Sequence, residues 1–113
     1  MEDVFKFKNN ELVRHPNNEG VFLKHFFGKE DNDQINNMEV HIVPSFRIAP
    51  HMHEDSTEYY YVVDGTGEFG DGVEWLAVSK GDTFKAPKGM LHSIRNTGHQ
   101  TLVLFSTFYP ATR

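Results

Sequence analysis

The sequence predicts an all-β fold, either a sandwich or a barrel, and three observations carry that prediction. Apolar residues fall in short runs rich in Phe, Val, Ile, Thr and Tyr, with ten Phe in 113 residues. Such side chains suit a pleated, half-buried surface. Nine Gly and five Pro break the runs at short intervals. No stretch sustains apolar positions at helical spacing. Many short strands with regular turn signals belong to sandwiches and barrels.

In chain order, strands are expected over residues 4–7, 21–27, 38–43, 46–49, 59–63, 73–78, 83–86, 91–95 and 101–108. The first carries Val4, Phe5 and Phe7, and the last carries Phe105 and Phe108 with Tyr109 just beyond it. Residues 28–37 are almost wholly polar and read as a solvated loop. Asp64-Gly65-Thr66-Gly67, Ser79-Lys80-Gly81-Asp82 and Thr97-Gly98-His99 read as turns. Gly70-Asp71-Gly72 reads as a further hairpin turn. Trp75 and Phe84 are expected in the core. The length suits one domain, 1–113, with no repeat or linker.

Composition excludes several functions. With no Cys there is neither a disulfide framework nor a thiolate metal site. Eleven Lys plus Arg against 16 Asp plus Glu give a net charge of −5, without a basic cluster, so no nucleic-acid partner is expected. No apolar run is long enough to span a membrane as a helix. Met1-Glu2-Asp3 opens the chain with acids and no apolar stretch follows, so no signal peptide is expected. The expectation is a cytoplasmic protein.

Seven His is the one unusual count. His51 and His53 are two apart, and on a strand such residues face the same way. A polar stretch, Glu54-Asp55-Ser56-Thr57, can turn the chain so that Glu58 faces them from a neighbouring strand. His92 lies in the strand-like run Leu91-His92-Ser93-Ile94. Converging in a barrel, these four would make a metal site. Imidazole and carboxylate suit a divalent ion such as Fe, Mn, Ni, Cu or Zn. The competing reading is four satisfied or surface residues, since a His-x-His pair also occurs by chance.

The wider pattern decides between them. From the first His onward, His51, His53, Glu58 and Gly65 match one motif of the cupin superfamily, about residues 45–65. Gly81, Pro87, Gly89, His92 and Asn96 match the second at every position, about residues 81–96. The chain thus resembles a small, single-domain, metal-binding cupin, and the flanking strands fit its double-stranded β-helix, or jelly-roll, barrel. Nine matches at fixed spacing are far more specific than any short motif. One position departs: the opening Gly of the first motif would fall at 45, where this chain has Ser45 after Pro44. A different local backbone is expected there.

The resemblance implies one divalent metal per chain on His51, His53, Glu58 and His92. Gly65, Gly81, Pro87, Gly89 and Asn96 read as structural. Strand parity puts Tyr60 and Val62 on the side of Glu58, and Ile94 with Met90 on the side of His92. Tyr60 is the candidate catalytic phenol, able to donate a hydrogen bond to a bound oxyanion; the competing reading is a barrel-filling aromatic. His41 and Arg47 are further pocket candidates, against a solvent-facing reading of each. His15, His25 and His99 receive no role.

A divalent ion held by three neutral His and one carboxylate keeps about one positive charge. It favours ligands that carry or develop negative charge. The expected function is a metal-dependent enzyme of isomerase, lyase or decarboxylase type, acting on a small oxygenated substrate such as a sugar-derived acid. The alternatives are a metal-dependent dioxygenase and a non-catalytic ligand-binding cupin. The apolar terminal strands suggest sheet edges in need of cover, hence a homodimer.

Overall fold

A computed structural model describes residues 11–113. The strand expected at residues 4–7 lies outside them. Ten strands run in order: β1 (Leu12–Arg14), β2 (Val21–His25), β3 (Asn36–Ile42), β4 (Arg47–His51), β5 (Thr57–Asp64), β6 (Thr66–Gly70), β7 (Trp75–Ser79), β8 (Thr83–Ala86), β9 (His92–Asn96) and β10 (Leu102–Tyr109). They form two antiparallel sheets. One has six strands in the order β1-β2-β3-β10-β5-β8, the other four in the order β4-β9-β6-β7. The core lies between the sheets, with Ile42, Val62, Ile94, Leu102 and Leu104 fully buried. This is the all-β jelly-roll architecture.

Alternation sets which residues point inward. In β5, Glu58, Tyr60 and Val62 are buried while Tyr59, Tyr61 and Val63 are exposed. In β10, Leu102, Leu104, Ser106 and Phe108 are buried. One face packs on the opposite sheet and the other meets solvent.

Several expectations need correction. The Gly65-Thr66-Gly67 stretch is not a hairpin turn, because Thr66–Gly70 forms β6. At Gly65 the chain passes from the six-stranded sheet to the four-stranded one. Its φ is +91°, and a Cβ there would lie 2.9 Å from Leu102 Cα. The strand expected at 73–78 starts at Trp75, since the Asp71 side chain accepts from the Val73 and Glu74 amides, each at 2.8 Å, and holds them in a turn. Trp75 is not core: it lies at the surface with the Arg95 guanidinium 3.7 Å above its ring. Phe84 does pack against the core. The polar run 28–37 is a loop only in part. Asn36 and Asn37 enter β3 and are buried, where they serve as acceptors. Asn36 Oδ1 takes the Thr112 amide at 2.6 Å, and Asn37 Oδ1 takes the Phe27 amide at 2.9 Å.

β10 is not an edge. It sits between β3 and β5 and pairs with both along its length. Both backbone edges of β10 are paired within the chain, so the edge argument for a homodimer does not apply to this strand.

The turn before β4 is the least expected feature. Ser45 has φ +74°, the left-handed conformation that glycine adopts without cost. Pro44 precedes it, and the Phe46 amide donates to the Val43 carbonyl at 3.1 Å. Proline at the second position and positive φ at the third describe a type II turn. Serine therefore holds a left-handed backbone of the kind glycine adopts without strain.

Candidate metal centre

Four side chains meet at one end of the barrel. His51 ends β4, His92 opens β9, Glu58 lies early in β5, and His53 sits in the loop after β4. The pairing of β4 with β9 brings the first two together. Ile48 opposes Ile94 and His51 opposes His92, so β4 carries one extra residue between the pairs. Pro50 occupies that bulge, where a missing amide N–H costs least. The two imidazole rings end 4.2 Å apart. His53 is not on the strand as its spacing with His51 suggests. It is held instead by its carbonyl, which accepts the Gly89 amide at 2.8 Å. Gly89 takes φ +79° in the turn that leads to His92. The loop that carries His53 is thus tied to the turn that leads into His92.

One donor atom from each of the four residues lies within 4.8 Å of all the others. Two ligand bonds of about 2.1 Å span a similar distance. The imidazoles are oriented for ligation. His51 Nδ1–H donates to the Ala49 carbonyl at 2.8 Å, and His92 Nδ1–H donates to the Met90 carbonyl at 2.9 Å. Carbonyls only accept, so both rings carry their proton on Nδ1 and turn a lone pair on Nε2 to the centre. Phe69 backs His92 with its ring centroid at 6.0 Å, and Phe108 packs edge-on against His53 at 4.8 Å.

The decisive feature is a set of buried polar atoms without hydrogen-bond partners. His53 Nε2, Glu58 Oε1 and His92 Nε2 all fall in this class. Glu58 Oε1 stands 3.5 Å from His53 Nε2 and 3.4 Å from His92 Nε2. Leaving such atoms unpaired costs about 1–3 kcal/mol each. Three orphans aimed at one point fit a cation, and the donor set fits a divalent transition ion.

The carboxylate is prepared for that charge. Burial alone pushes the Glu58 acid up, but His53, His92, the Ser106 hydroxyl and the Tyr60 phenol outweigh it and hold the pKa at about 2. Ser106, buried on β10, donates its hydroxyl to Glu58 Oε2 in a short hydrogen bond. The Tyr60 phenol goes the other way, raised well above 10 by burial and then by the adjacent Glu58 charge. Burial also holds the His51 imidazole below its usual 6.5.

The cluster opens on a cavity of about 440 Å³. His51, His53, Glu58 and Tyr60 form one part of its wall, with Leu23, Met38, Val40, Ile48 and Phe108 as apolar neighbours. His15, Asn17 and Asn18, from the loop between β1 and β2, complete the polar rim. Other residues expected at the pocket lie elsewhere. Val62 and Ile94 are buried in the core beneath it, and Met90 packs on that core. Met90 serves the site through its carbonyl alone. His41 faces away from Met38 and Val40 and contacts Glu39 Oε1 at 2.8 Å. Arg47 is exposed and pairs in register with Arg95.

Two contributors escape a sequence reading. Ser106 shows only as a polar residue in phase with Leu104 and Phe108. His15 lies in a turn-like polar stretch, and nothing in its spacing links it to His51.

Comparison with known proteins agrees with this geometry. Residues 38–108 match the family model of the cupin domain. The chain belongs to the cupin family. An oxalate-binding protein of Thermotoga maritima is 36% identical over 59 residues, 52% of this cupin and 49% of that protein. This cupin thus spans about half the length of that curated relative. A solved T. maritima structure, described as a predicted oxalate decarboxylase, superposes with a TM-score of 0.78 at 27% identity, covering 89% of this chain and 91% of that one. The polyketide cyclase RemF of Streptomyces resistomycificus shares the fold, with a TM-score of 0.79 at 20% identity over 94% of this chain and 80% of its own. Among the described residues, no helix is long and apolar enough to cross a membrane.

Proposed function

We propose that this cupin binds one divalent transition metal through His51, His53, Glu58 and His92 and uses it to act on a small oxygenated acid in the adjoining cavity. The carrying observation is the convergence of three unpartnered buried donor atoms, His53 Nε2, Glu58 Oε1 and His92 Nε2, beside that cavity. When bound, the metal supplies Lewis-acid charge that favours a carboxylate or an enediolate-like anion.

The protein's own groups have separable tasks. The Ala49 and Met90 carbonyls fix two imidazole tautomers. His53 and His92, with Ser106 and Tyr60 behind them, keep Glu58 ionised. Tyr60 retains its proton at neutral pH and spends its polarity on Glu58, so it acts as a positioning residue for the carboxylate. Leu23, Val40 and Ile48 make part of the cavity wall apolar, and a less polar surrounding strengthens charge interactions at the cluster. An isomerase, lyase or decarboxylase reaction is the enzymatic reading. Capture without turnover is the second, favoured by the oxalate-binding relative.

The test is metal analysis of protein purified without added metal, followed by oxalate and small hydroxy acids watched by NMR. About one equivalent of a transition metal per chain supports the site. Product formation separates an enzyme from a binder. Less than about 0.2 equivalents, with no uptake on titration, removes the reading.

A further inference from the structure

The two sheets leave four edge strands among the described residues, and three of them carry a feature that discourages pairing with another chain. β1 is three residues long and includes Arg14. β4 carries Arg47 and a bulge at Pro50. β8 exposes Lys85. Short length, charge, proline and bulges are the usual protections of an edge. β7 has none of these protections. Its sequence, Trp75-Leu76-Ala77-Val78-Ser79, holds no charge and no proline, and it pairs with β6 alone. Trp75, Leu76 and Ala77 are all exposed, Leu76 at 55%.

The phase of the β6–β7 ladder fixes which backbone groups of β7 are free. The Asp71 amide donates to the Glu74 carbonyl at 3.2 Å, and beyond them Gly70, Phe69 and Glu68 stand opposite Trp75, Leu76 and Ala77. Bonded and non-bonded pairs alternate along an antiparallel ladder. Leu76 and Val78 therefore bond to β6, while Trp75, Ala77 and Ser79 turn their N–H and C=O groups to the open edge. Ser79 is satisfied there within the chain. Its amide donates to Asp82 Oδ2 at 2.8 Å, and its carbonyl accepts the Asp82 amide at 2.9 Å. Trp75 and Ala77 keep two donors and two acceptors facing outward.

A second copy of this edge, run antiparallel, complements it. With Leu76 on the two-fold axis, Trp75 of each copy faces Ala77 of the other, and four hydrogen bonds use all of those groups. The large indole then lies opposite the smallest side chain of the strand. The two Leu76 side chains stand directly opposite each other and cover one another. Glu74 of each copy lies diagonally across from Lys80 of the other, within reach of a long side chain. Both residues are exposed, and neither has a salt-bridge partner among the described residues.

We propose that β7 is a self-association edge. Two copies pair antiparallel about Leu76 and join their four-stranded sheets into one of eight strands. The inference is independent of the metal reading.

The experiment uses the full chain. Sedimentation is expected to give a concentration-dependent mass that reaches twice the 13.0 kDa of one chain. Leu76→Arg sets two like charges opposite each other on the axis and should weaken the dimer at least about tenfold. Glu74→Lys should weaken it about threefold, and adding Lys80→Glu should restore it by exchanging the charges. The chain has no Cys, so Leu76→Cys provides a single thiol. Mild oxidation should link two copies of that variant, since a Cα separation of about 4.5 Å across the axis suits a disulfide. Lys85→Cys, on the β8 edge, should stay unlinked. The cross-link also guards against an arginine variant that fails to fold. A one-chain mass up to about 1 mM overturns the proposal. So does a dimer that Leu76→Arg leaves intact, a charge exchange that restores nothing, or cross-linking no faster at Leu76→Cys than at Lys85→Cys.

Discussion

Ser106→Ala isolates the buried support of the proposed metal site without touching any of the four residues proposed to hold the ion. Ser106 is fully buried on β10, and its hydroxyl donates to Glu58 Oε2. The substitution removes one oxygen and leaves a charged acceptor without that donor. Hydrogen bonds to charged groups contribute about 1.5–3 kcal/mol, so metal-free protein should lose about 2 kcal/mol of stability. For a domain of this size that lowers the midpoint of thermal unfolding by about 8 °C. The same hydroxyl helps hold the Glu58 acid at about 2, so its loss lets that pKa rise. Metal affinity should fall about tenfold, as it does when a supporting partner of a ligand is removed. Urea unfolding of chelator-treated protein measures the first effect, and competition titration with a metal-sensitive dye measures the second. A variant within about 0.5 kcal/mol of wild type that binds metal equally well would refute the reasoning, since that is the size of a neutral surface change.

His92→Ala should lower metal affinity at least about tenfold while circular dichroism still reports a folded β protein. Ser45→Gly should raise stability by about 0.5–1 kcal/mol in urea unfolding, because glycine relieves the cost of φ +74° and loses part of the gain to its freer unfolded chain. The His51 pKa is depressed by burial from its usual 6.5. In metal-free protein the unfolded chain therefore takes up that proton first as pH falls. The contribution of His51 to stability is complete above 6.5 and declines below it, which a pH series of unfolding midpoints will show. Metal affinity should follow the same direction, weakening as pH falls and protons compete for the imidazoles.

The candidate cluster was legible because two motifs fix the spacing of its residues, and strand alternation accounts for part of that spacing although His53 lies in a loop. Glu58 and Tyr60 share a face by alternation, and the second motif places His92 three positions after the glycine of a Pro-x-Gly turn. The motif glycines Gly65, Gly81 and Gly89 all take positive φ, as does Ser45, which shows that a motif glycine marks a backbone angle rather than a residue. What stayed hidden had weak local signals. β1 has no buried residue, so no alternation betrays it. β6 is Thr-Gly-Glu-Phe-Gly, whose glycines read as turns, although Gly67 is required by close packing: a Cβ there would lie 2.5 Å from the Arg95 carbonyl oxygen. The central place of β10 depends on pairing with two strands far away in sequence, β3 and β5. Ser106 and His15 reach the site through that same long-range topology, and no spacing within their own segments encodes it.

The central claim is that one metal ion sits on these four residues. A crystal structure of the metal-loaded protein, with anomalous diffraction collected at the metal's absorption edge, tests it most directly. The account predicts a single strong peak about 2.0–2.2 Å from a ligand atom of each of His51, His53, Glu58 and His92. A peak elsewhere in the chain, or a fully loaded crystal with no peak at this cluster, would contradict it.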